Sequence, residues 1–308
     1  MEWFEYCLPL KKPLPLPGGL SLTERRGILL HDPQSGGWGD AAPLPGFSRE
    51  SFEEVRSEVQ GGELNRSDFP SVRFATWCLE QPWTPPTETV HCNGLWILST
   101  ESVQKIDARI REWPNPVLKV KPGKDPDVRS LLDLLERRPE LRYRLDGNRQ
   151  WSVETTLNLA THLPETSLEY IEEPLQEPEG YEELWRRAPV PVALDECLLE
   201  GGGRELVDAE QVVALVLKPS LLGGAEDWRP WLDLSRDRGK SIIWSSSFES
   251  GVGLWHLASL ASGGGHAGLD TGDWFQRDLV SPRPLSRNGV FPPAEGLEVH
   301  SAFLRPKT

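Results

Sequence analysis

Cysteine is scarce and unpatterned. Four are present in 308 residues, Cys7, Cys78, Cys92 and Cys197, with no CxxC pair among them. That excludes a disulfide framework and gives no zinc-site spacing, so reduced thiols and a cytoplasmic setting are expected. Long apolar runs are also missing: no stretch approaches the roughly 20 residues that cross a bilayer. The opening MEWFEYCLPLKK lacks the basic, apolar and small-residue order of a signal peptide. Positive charge is in deficit. Against 47 acidic residues stand 33 basic ones, a net charge of −14 with no local Lys/Arg cluster to offset it. Nucleic acid and anionic membrane are excluded as partners on that ground, and no obligate protein partner is evident. The six histidines show no paired spacing, and no GxGxxG or Walker pattern surrounds the run Gly263–Gly265, which reads as a tight turn.

What is present suffices for a large core. The chain is 38% hydrophobic with 13 tryptophans, and its length suits one large α/β domain with a smaller companion. Residues 1–87 carry strand-like pieces, WFEYCL, GILLH and GWGDAAPL, between Pro- and Gly-rich turns. Helices are expected over 48–60, begun by Ser48, and over 70–80, begun by Pro70. This is an α+β segment whose stretches Pro17–Arg26 and Pro43–Ser48 read as loops suited to act as lids.

From residue 88 a βα rhythm sets in, with strands near 90 (TVHCNGL), 119, 144, 170, 193, 215, 243 and 268. A helix from Ser99 would carry Val103, Ile106, Ile110 and Trp113 on one face. Another follows Asp125-Pro126, read as an N-cap with proline at the first helical position. Further helices are expected over 224–238, stopping at Gly239, and from about 251. Eight parallel strands alternating with helices close as a barrel, here assigned to 88–279. The tail 280–308 ends in an alternating GLEVH and is expected to return to the N-terminal domain.

Charged residues end the strand segments. Lys119 and Lys121 lie at the end of PVLKVK, Asp146 of LRYRLD and Lys218 of VVALVLK, with Glu172 in LEYIEE and Asp195 in VPVALDE. From Lys119 the intervals are 27, 26, 23 and 23 residues, about what a strand, a loop and a helix consume. Barrel enzymes keep their catalytic groups at such strand ends. Residues i and i+2 of a strand share a face, so both lysines of the pair point inward. Their mutual repulsion, with a metal nearby, would lower the pKa of the lysine facing the substrate and make it a base. Asp146, Glu172 and Asp195 are hard oxygen donors from consecutive strands and suit Mg²⁺, with Mn²⁺ as a substitute. Lys218 adds a third positive charge. The chemistry implied is removal of a proton α to the carboxylate of a small molecule, the dianion being stabilised by metal and lysines. Glu173 and Glu196 each follow a ligand position and face the other way, so salt-bridge or supporting roles are expected of them.

The order Lys-x-Lys, Asp-x-Asn (Asp146, Asn148), Glu-Glu-Pro (Glu172–Pro174), Asp-Glu (Asp195, Glu196) and Lys-Pro (Lys218, Pro219) resembles the muconate-lactonizing subgroup of the enolase superfamily. A lysine base, Mg²⁺ and an ene-diolate are that superfamily's known pattern. Within it, the strings GWGDAAPLPGFS, CNG, LKVKPG, RLDGNRQW, YIEEP, LDE, LKPSL, SSSFESGVG and GLDTGD resemble the o-succinylbenzoate synthase family over nearly the whole chain. The resemblance implies an α/β fold, a (β/α)7β modified TIM barrel with an α+β N-terminal capping domain over 1–87. It implies syn dehydration of 2-succinyl-6-hydroxy-2,4-cyclohexadiene-1-carboxylate to o-succinylbenzoate, in menaquinone biosynthesis. Lys121 would be the base, Lys119 its electrostatic neighbour, and Lys218 the cation over the ring. Asp146, Glu172 and Asp195 would hold Mg²⁺, Ser245 and Ser246 would contact the substrate, and Arg144 would support the site. Pro122 and Cys197 depart from the family pattern, where a β-branched residue and a serine are commoner; they bear on pocket shape, not on reaction class.

Two other readings stay open. An N-acylamino acid racemase or dipeptide epimerase uses the same metal site and needs Lys121 and Lys218 both to titrate, from opposite faces of the substrate. A non-enzymatic barrel descendant kept for binding would have lost at least one of these charged groups.

Overall fold

The structure is a computed structural model that describes residues 1–16, 19–98, 111, 116–163, 167–200, 203–291, 293–300 and 304. The helix expected from Ser99 lies outside the described residues, apart from Arg111. The N-terminal part runs β1 (Glu2–Pro15), β2 (Ser21–His31), β3 (Trp38–Ala41), α1 (Phe52–Gly61) and α2 (Pro70–Leu79). Strands β4 (Gly94–Ile97), β5 (Val117–Lys121), β6 (Arg142–Asp146), β7 (Leu168–Glu172), β8 (Val192–Leu194), β9 (Val212–Leu217) and β10 (Ser241–Trp244) follow. Among them lie α3 (Val128–Leu135), α4 (Val153–His162), α5 (Gly180–Arg187), α6 (Glu196–Leu199), α7 (Gly203–Leu206), α8 (Pro219–Leu222) and α9 (Ala225–Arg238). Next come α10 (Gly251–Ala261), β11 (Val280–Ser281) and β12 (Glu298–Val299). Two compact units result, residues 1–91 with 217–230 and 244–308, and residues 92–216 with 231–243. Among the described residues no helix is long and apolar enough to cross a membrane.

The seven strands β4 to β10 form one sheet in chain order, parallel from β4 through β9. This is the (β/α)7β architecture of a modified TIM barrel, accompanied by an α+β N-terminal part. Apolar runs such as VVALVL are buried nearly throughout, as a strand covered on both faces requires. Tyr170, Ala193, Ala214, Val216 and Ile243 pack into one buried cluster. Tyr170 stands two residues before Glu172 in β7, so period-2 alternation puts Glu172 on the face that this cluster marks.

Several boundaries differ from expectation. The first barrel strand is Gly94–Ile97, later than TVHCNGL. The eighth strand near 268 is a single parallel bridge between Ser245 and Gly268. α3 starts at Val128, with Asp125 and Pro126 outside it. β12, within GLEVH, pairs with β11, while Gln276 donates its amide to Pro9 of β1.

In the first unit β1, β2 and β3 form an antiparallel sheet. Trp3, Ile28, Leu30 and Ala41 pack with Val55 and Val59 of α1 and Val72 and Ala75 of α2. Full burial of each such Val or Ile is worth roughly 1.5–3 kcal/mol. α1 is capped by Ser51, whose hydroxyl accepts from the Glu54 amide while Glu54 reaches back to the Ser51 amide. Ser48, expected to begin that helix, instead accepts the Leu44 amide at 2.8 Å. The stretch expected to be a loop to Arg26 is strand from Ser21 on. Arg25 is buried there, donating to the carbonyls of Pro43, Ala42 and Phe248 at 2.8, 2.9 and 3.0 Å. His256 is buried as well, its Nε2 donating to the Trp38 carbonyl, and burial pushes it down to about 4.

The GWGD string owes its glycines to packing. A Cβ on Gly39 would run into the backbone carbonyl of Ala75 in α2. Gly39→Ala should therefore lower the melting temperature by several degrees, a cost of roughly 1–3 kcal/mol; an unchanged melt would refute this packing argument.

Asp40 is fully buried and accepts from Tyr6 at 2.8 Å and from the Ser250 amide and hydroxyl at 2.8 and 2.7 Å. Burial pushes its carboxyl up to about 6, with the Glu249 charge adding and the bonds from Ser250 and Tyr6 opposing. The folded value exceeds the ordinary 3.8, so between about pH 4 and 6 the folded chain keeps a proton that the unfolded chain has released. Stability through Asp40 is therefore greatest below pH 4 and falls as pH rises to 6. Relative to Asp40→Asn, which cannot ionise, the wild type should lose on the order of 3 kcal/mol from pH 4 to 7. Parallel melts of the two proteins over that range measure it, and a constant gap would refute it.

Candidate active site

The second unit holds one half of the predicted constellation. Asp146 ends β6 and Glu172 ends β7, and the two are register partners in neighbouring strands. Asp195 follows β8 directly, at the head of α6. All three carboxylates are buried. Lys119 Nζ lies 2.9 Å from Asp146 Oδ2 and 2.7 Å from Glu172 Oε1. Lys121 Nζ, partly exposed, lies 2.9 Å from the same Asp146 oxygen and donates to Asn148 at 3.1 Å. Alternation along β5 thus brings both ammonium groups onto one carboxylate.

Burial by itself lowers the Lys119 pKa, but Asp146, Glu172 and Asp195 outweigh it and hold the group well above the ordinary lysine range. Its charge is locked, which suits an electrostatic neighbour and not a base.

Neighbouring backbone is bent to make these contacts. Asn148 and Arg149 have φ of 44° and 58°, and Glu173 has φ of 33°, the left-handed region that non-glycine residues seldom adopt. Gly147, between Asp146 and Asn148, lets the chain pass Pro174, whose Cα would lie 2.6 Å from a Cβ there. Glu173 points away from the ligand face and is buried. It accepts the Asp195 amide at 2.8 Å, the Cys197 amide at 3.2 Å and Arg149 Nε at 3.2 Å. Burial raises its pKa, the Asp195 charge adds, and Arg149 opposes. Glu173 therefore fixes the start of α6 and with it Asp195. Glu196 receives Asn148 Nδ2 at 3.4 Å. Cys197 is buried and its thiol is pushed up by burial and by Glu173, so it is inert. Arg144, expected near the substrate, is buried with its guanidinium committed to Glu169 at 3.1 and 3.2 Å and to Asn93 at 2.9 Å.

The donor set suits a hard divalent cation: three buried carboxylate groups against two ammonium groups leave an excess of one negative charge. Among the described residues no three His, Cys, Asp or Glu side chains are already gathered as a ligand cluster, since Lys119 holds the position between Asp146 and Glu172.

The first unit holds the remaining groups. Lys218 caps the short α8 and lies 5.8 Å from the Phe47 ring centroid. Ser245 follows β10 and donates its amide to Leu217 at 2.9 Å. Ser246 donates its hydroxyl to Glu249 at 2.6 Å and accepts from the Phe248 amide at 2.9 Å and Thr271 at 2.8 Å. One donor and two lone pairs are all a hydroxyl has, so Ser246 is saturated inside the protein. Glu249 lies in the segment SSSFESGVG without a signal that marks it: a lone glutamate within a serine run carries no informative spacing.

Comparison with known proteins closes the question of family. The family described as "Enolase C-terminal domain-like" matches residues 102–299, and that described as "MenC, N-terminal domain" matches residues 1–81. An o-succinylbenzoate synthase of Salmonella dublin is 30% identical over 299 residues, spanning 89% of this chain and 92% of that protein. The crystal structure of MenC from Desulfotalea psychrophila superposes with a TM-score of 0.73 at 22% identity, covering 94% of this chain and 98% of that one. The muconate lactonizing enzyme from Pseudomonas fluorescens, complexed with muconolactone, gives 0.77 at 15% identity, with 99% and 98% covered. At such identities the two structures speak for the fold alone, and the Salmonella relative speaks for the family. This chain belongs to the o-succinylbenzoate synthase family of the enolase superfamily.

Proposed function

We propose that this chain is a hydro-lyase, an o-succinylbenzoate synthase of menaquinone biosynthesis. It removes water from 2-succinyl-6-hydroxy-2,4-cyclohexadiene-1-carboxylate by syn elimination in the presence of Mg²⁺ or Mn²⁺. The observation that carries the reading is the pair Lys119 and Lys121 on one buried Asp146 oxygen, in a chain 30% identical to a protein of that name. Asp146, Glu172 and Asp195 would hold the cation, which when bound supplies positive charge against the charge that a substrate carboxylate gains on losing its α-proton. Lys121, the more exposed of the pair, is the base. Its neutral amine takes the α-proton, and the resulting ammonium returns that proton to the departing hydroxyl on the same ring face, so water leaves and the ring becomes aromatic. Lys119 keeps its proton and serves as the electrostatic neighbour of Lys121. Lys218 needs its positive charge only. Ser245 supplies a polar contact, and Arg144 stiffens β6 through Glu169.

Lys121→Ala should lower dehydration about 10²- to 10⁴-fold, read as formation of the aromatic product by absorbance. Lys218→Ala should do likewise, whereas Lys218→Arg keeps the charge without a base and should retain part of the activity. The same Arg variant should abolish racemisation of an N-succinylamino acid, followed as α-proton exchange in D₂O by NMR. Efficient racemisation by wild type with no dehydration would replace the synthase reading by the racemase one.

The cation has a readout apart from turnover. At 100 times its Kd, Mg²⁺ should stabilise the wild type by about 2.7 kcal/mol, seen as a rise in Tm, and Asp146→Asn should lose most of that rise. Full dehydration activity after exhaustive EDTA treatment would defeat the proposed metal requirement.

A further inference from the structure

Glu249 is fully buried and takes no part in the chemistry above, yet four hydrogen bonds converge on its carboxylate. Ser246 Oγ donates at 2.6 Å, the Ser247 amide lies 2.9 Å from both oxygens, and Ser220 Oγ donates to Oε1. These donors come from two strand ends. Ser220 belongs to α8, the turn that Lys218 caps. Ser246 and Ser247 follow Ser245 after β10. The Arg25 guanidinium carries the opposite charge toward Glu249 and binds the Phe248 carbonyl at 3.0 Å, while Asp40 adds a like charge and binds Ser250. An ion with this many donors is held in one place, and so are the donors.

Alternation divides the serines. Ile243 belongs to the buried cluster of the sheet, so Ser245, two residues on, shares its face and Ser246 takes the other. Ser246 has no hydrogen-bonding capacity left, all of it being used by Glu249, Phe248 and Thr271.

We propose that Glu249 is a positioning residue: by binding Ser246, Ser247 and Ser220 together it sets Ser245 and Lys218, the substrate-facing groups of two strand ends, in one fixed relation. Ser246 acts through Glu249 and not on the substrate. The proposal rests on the reading of Ser245 and Lys218 given under the proposed function.

The test is a double-mutant cycle in the full-length protein with Mg²⁺ and the cyclohexadiene substrate, product binding by calorimetry giving the folded fraction. Ser245→Ala should raise KM several-fold. Glu249→Gln should raise KM about 10-fold in wild type but less than twofold in the Ser245→Ala background, because the contact it positions is already gone. A purely structural role would leave the KM penalty equal in both backgrounds, and that result overturns the proposal. An unchanged KM in Ser245→Ala would instead overturn the substrate-contact reading beneath it. Ser220→Ala, which deletes only the hydroxyl tying α8 to Glu249, should lower kcat at least fivefold with KM within twofold and one product bound per chain. Should Glu249→Gln fail to fold, this variant decides: kcat within twofold of wild type overturns the proposal.

Discussion

The shared contact of Lys119 and Lys121 with Asp146 is the constraint on which the second unit depends. Three carboxylates buried side by side would each cost several kcal/mol if left unopposed. Lys119 makes the arrangement tolerable by standing 2.9 Å from Asp146 and 2.7 Å from Glu172, at the expense of its own desolvation. The same contact explains why the pair is not two equivalent lysines. The inner one is locked as a cation by its carboxylates; the outer one shares a single carboxylate oxygen, donates to the Asn148 amide oxygen at 3.1 Å and keeps some exposure to solvent. Proton transfer needs a group of the second kind, and charge balance needs one of the first.

Backbone strain accompanies the buried carboxylates at the ends of β6 and β7. Asn148, Arg149 and Glu173 sit at positive φ within the turns that follow β6 and β7. Each strained residue is overdetermined: Asn148 accepts from Lys121, Arg149 forks onto Glu200 at 2.7 and 2.8 Å, and Glu173 takes two amides of the next strand end. Strain of this kind costs about 1–3 kcal/mol per residue and persists where surrounding bonds hold the backbone in place.

How much of this was legible in the sequence follows from which forces are local. The βα rhythm, the inward pairing of Lys119 with Lys121, the helix opened by Pro70 and the stop at Gly239 are set by period and by single-residue backbone preferences, so they could be read. Ser48 and Ser51 are chemically alike as caps, and only the Glu54 return bond and the Leu44 amide tell them apart. The strand from Ser21 to Arg26 reads as part of a Pro- and Gly-rich loop; what holds it is tertiary, three carbonyls distant in sequence that accept from the buried Arg25. Arg144 shares a face with Asp146 by alternation, but its commitment to Glu169 and Asn93 is a tertiary fact that no spacing encodes.

The two units divide the labour by the kind of force each uses. In the second, charges of opposite sign meet directly, so Lys119, Lys121, Asp146 and Glu172 are fixed by electrostatics over a few ångströms. In the first, the groups proposed to meet substrate are fixed indirectly, through hydroxyls and amides gathered on Glu249, with Arg25 and Asp40 tying the same segment to β2 and β3. Changing a group of the first kind removes a charge from that cluster. Changing one of the second kind alters the hydrogen bonds that hold the Ser245–Ser250 segment in place.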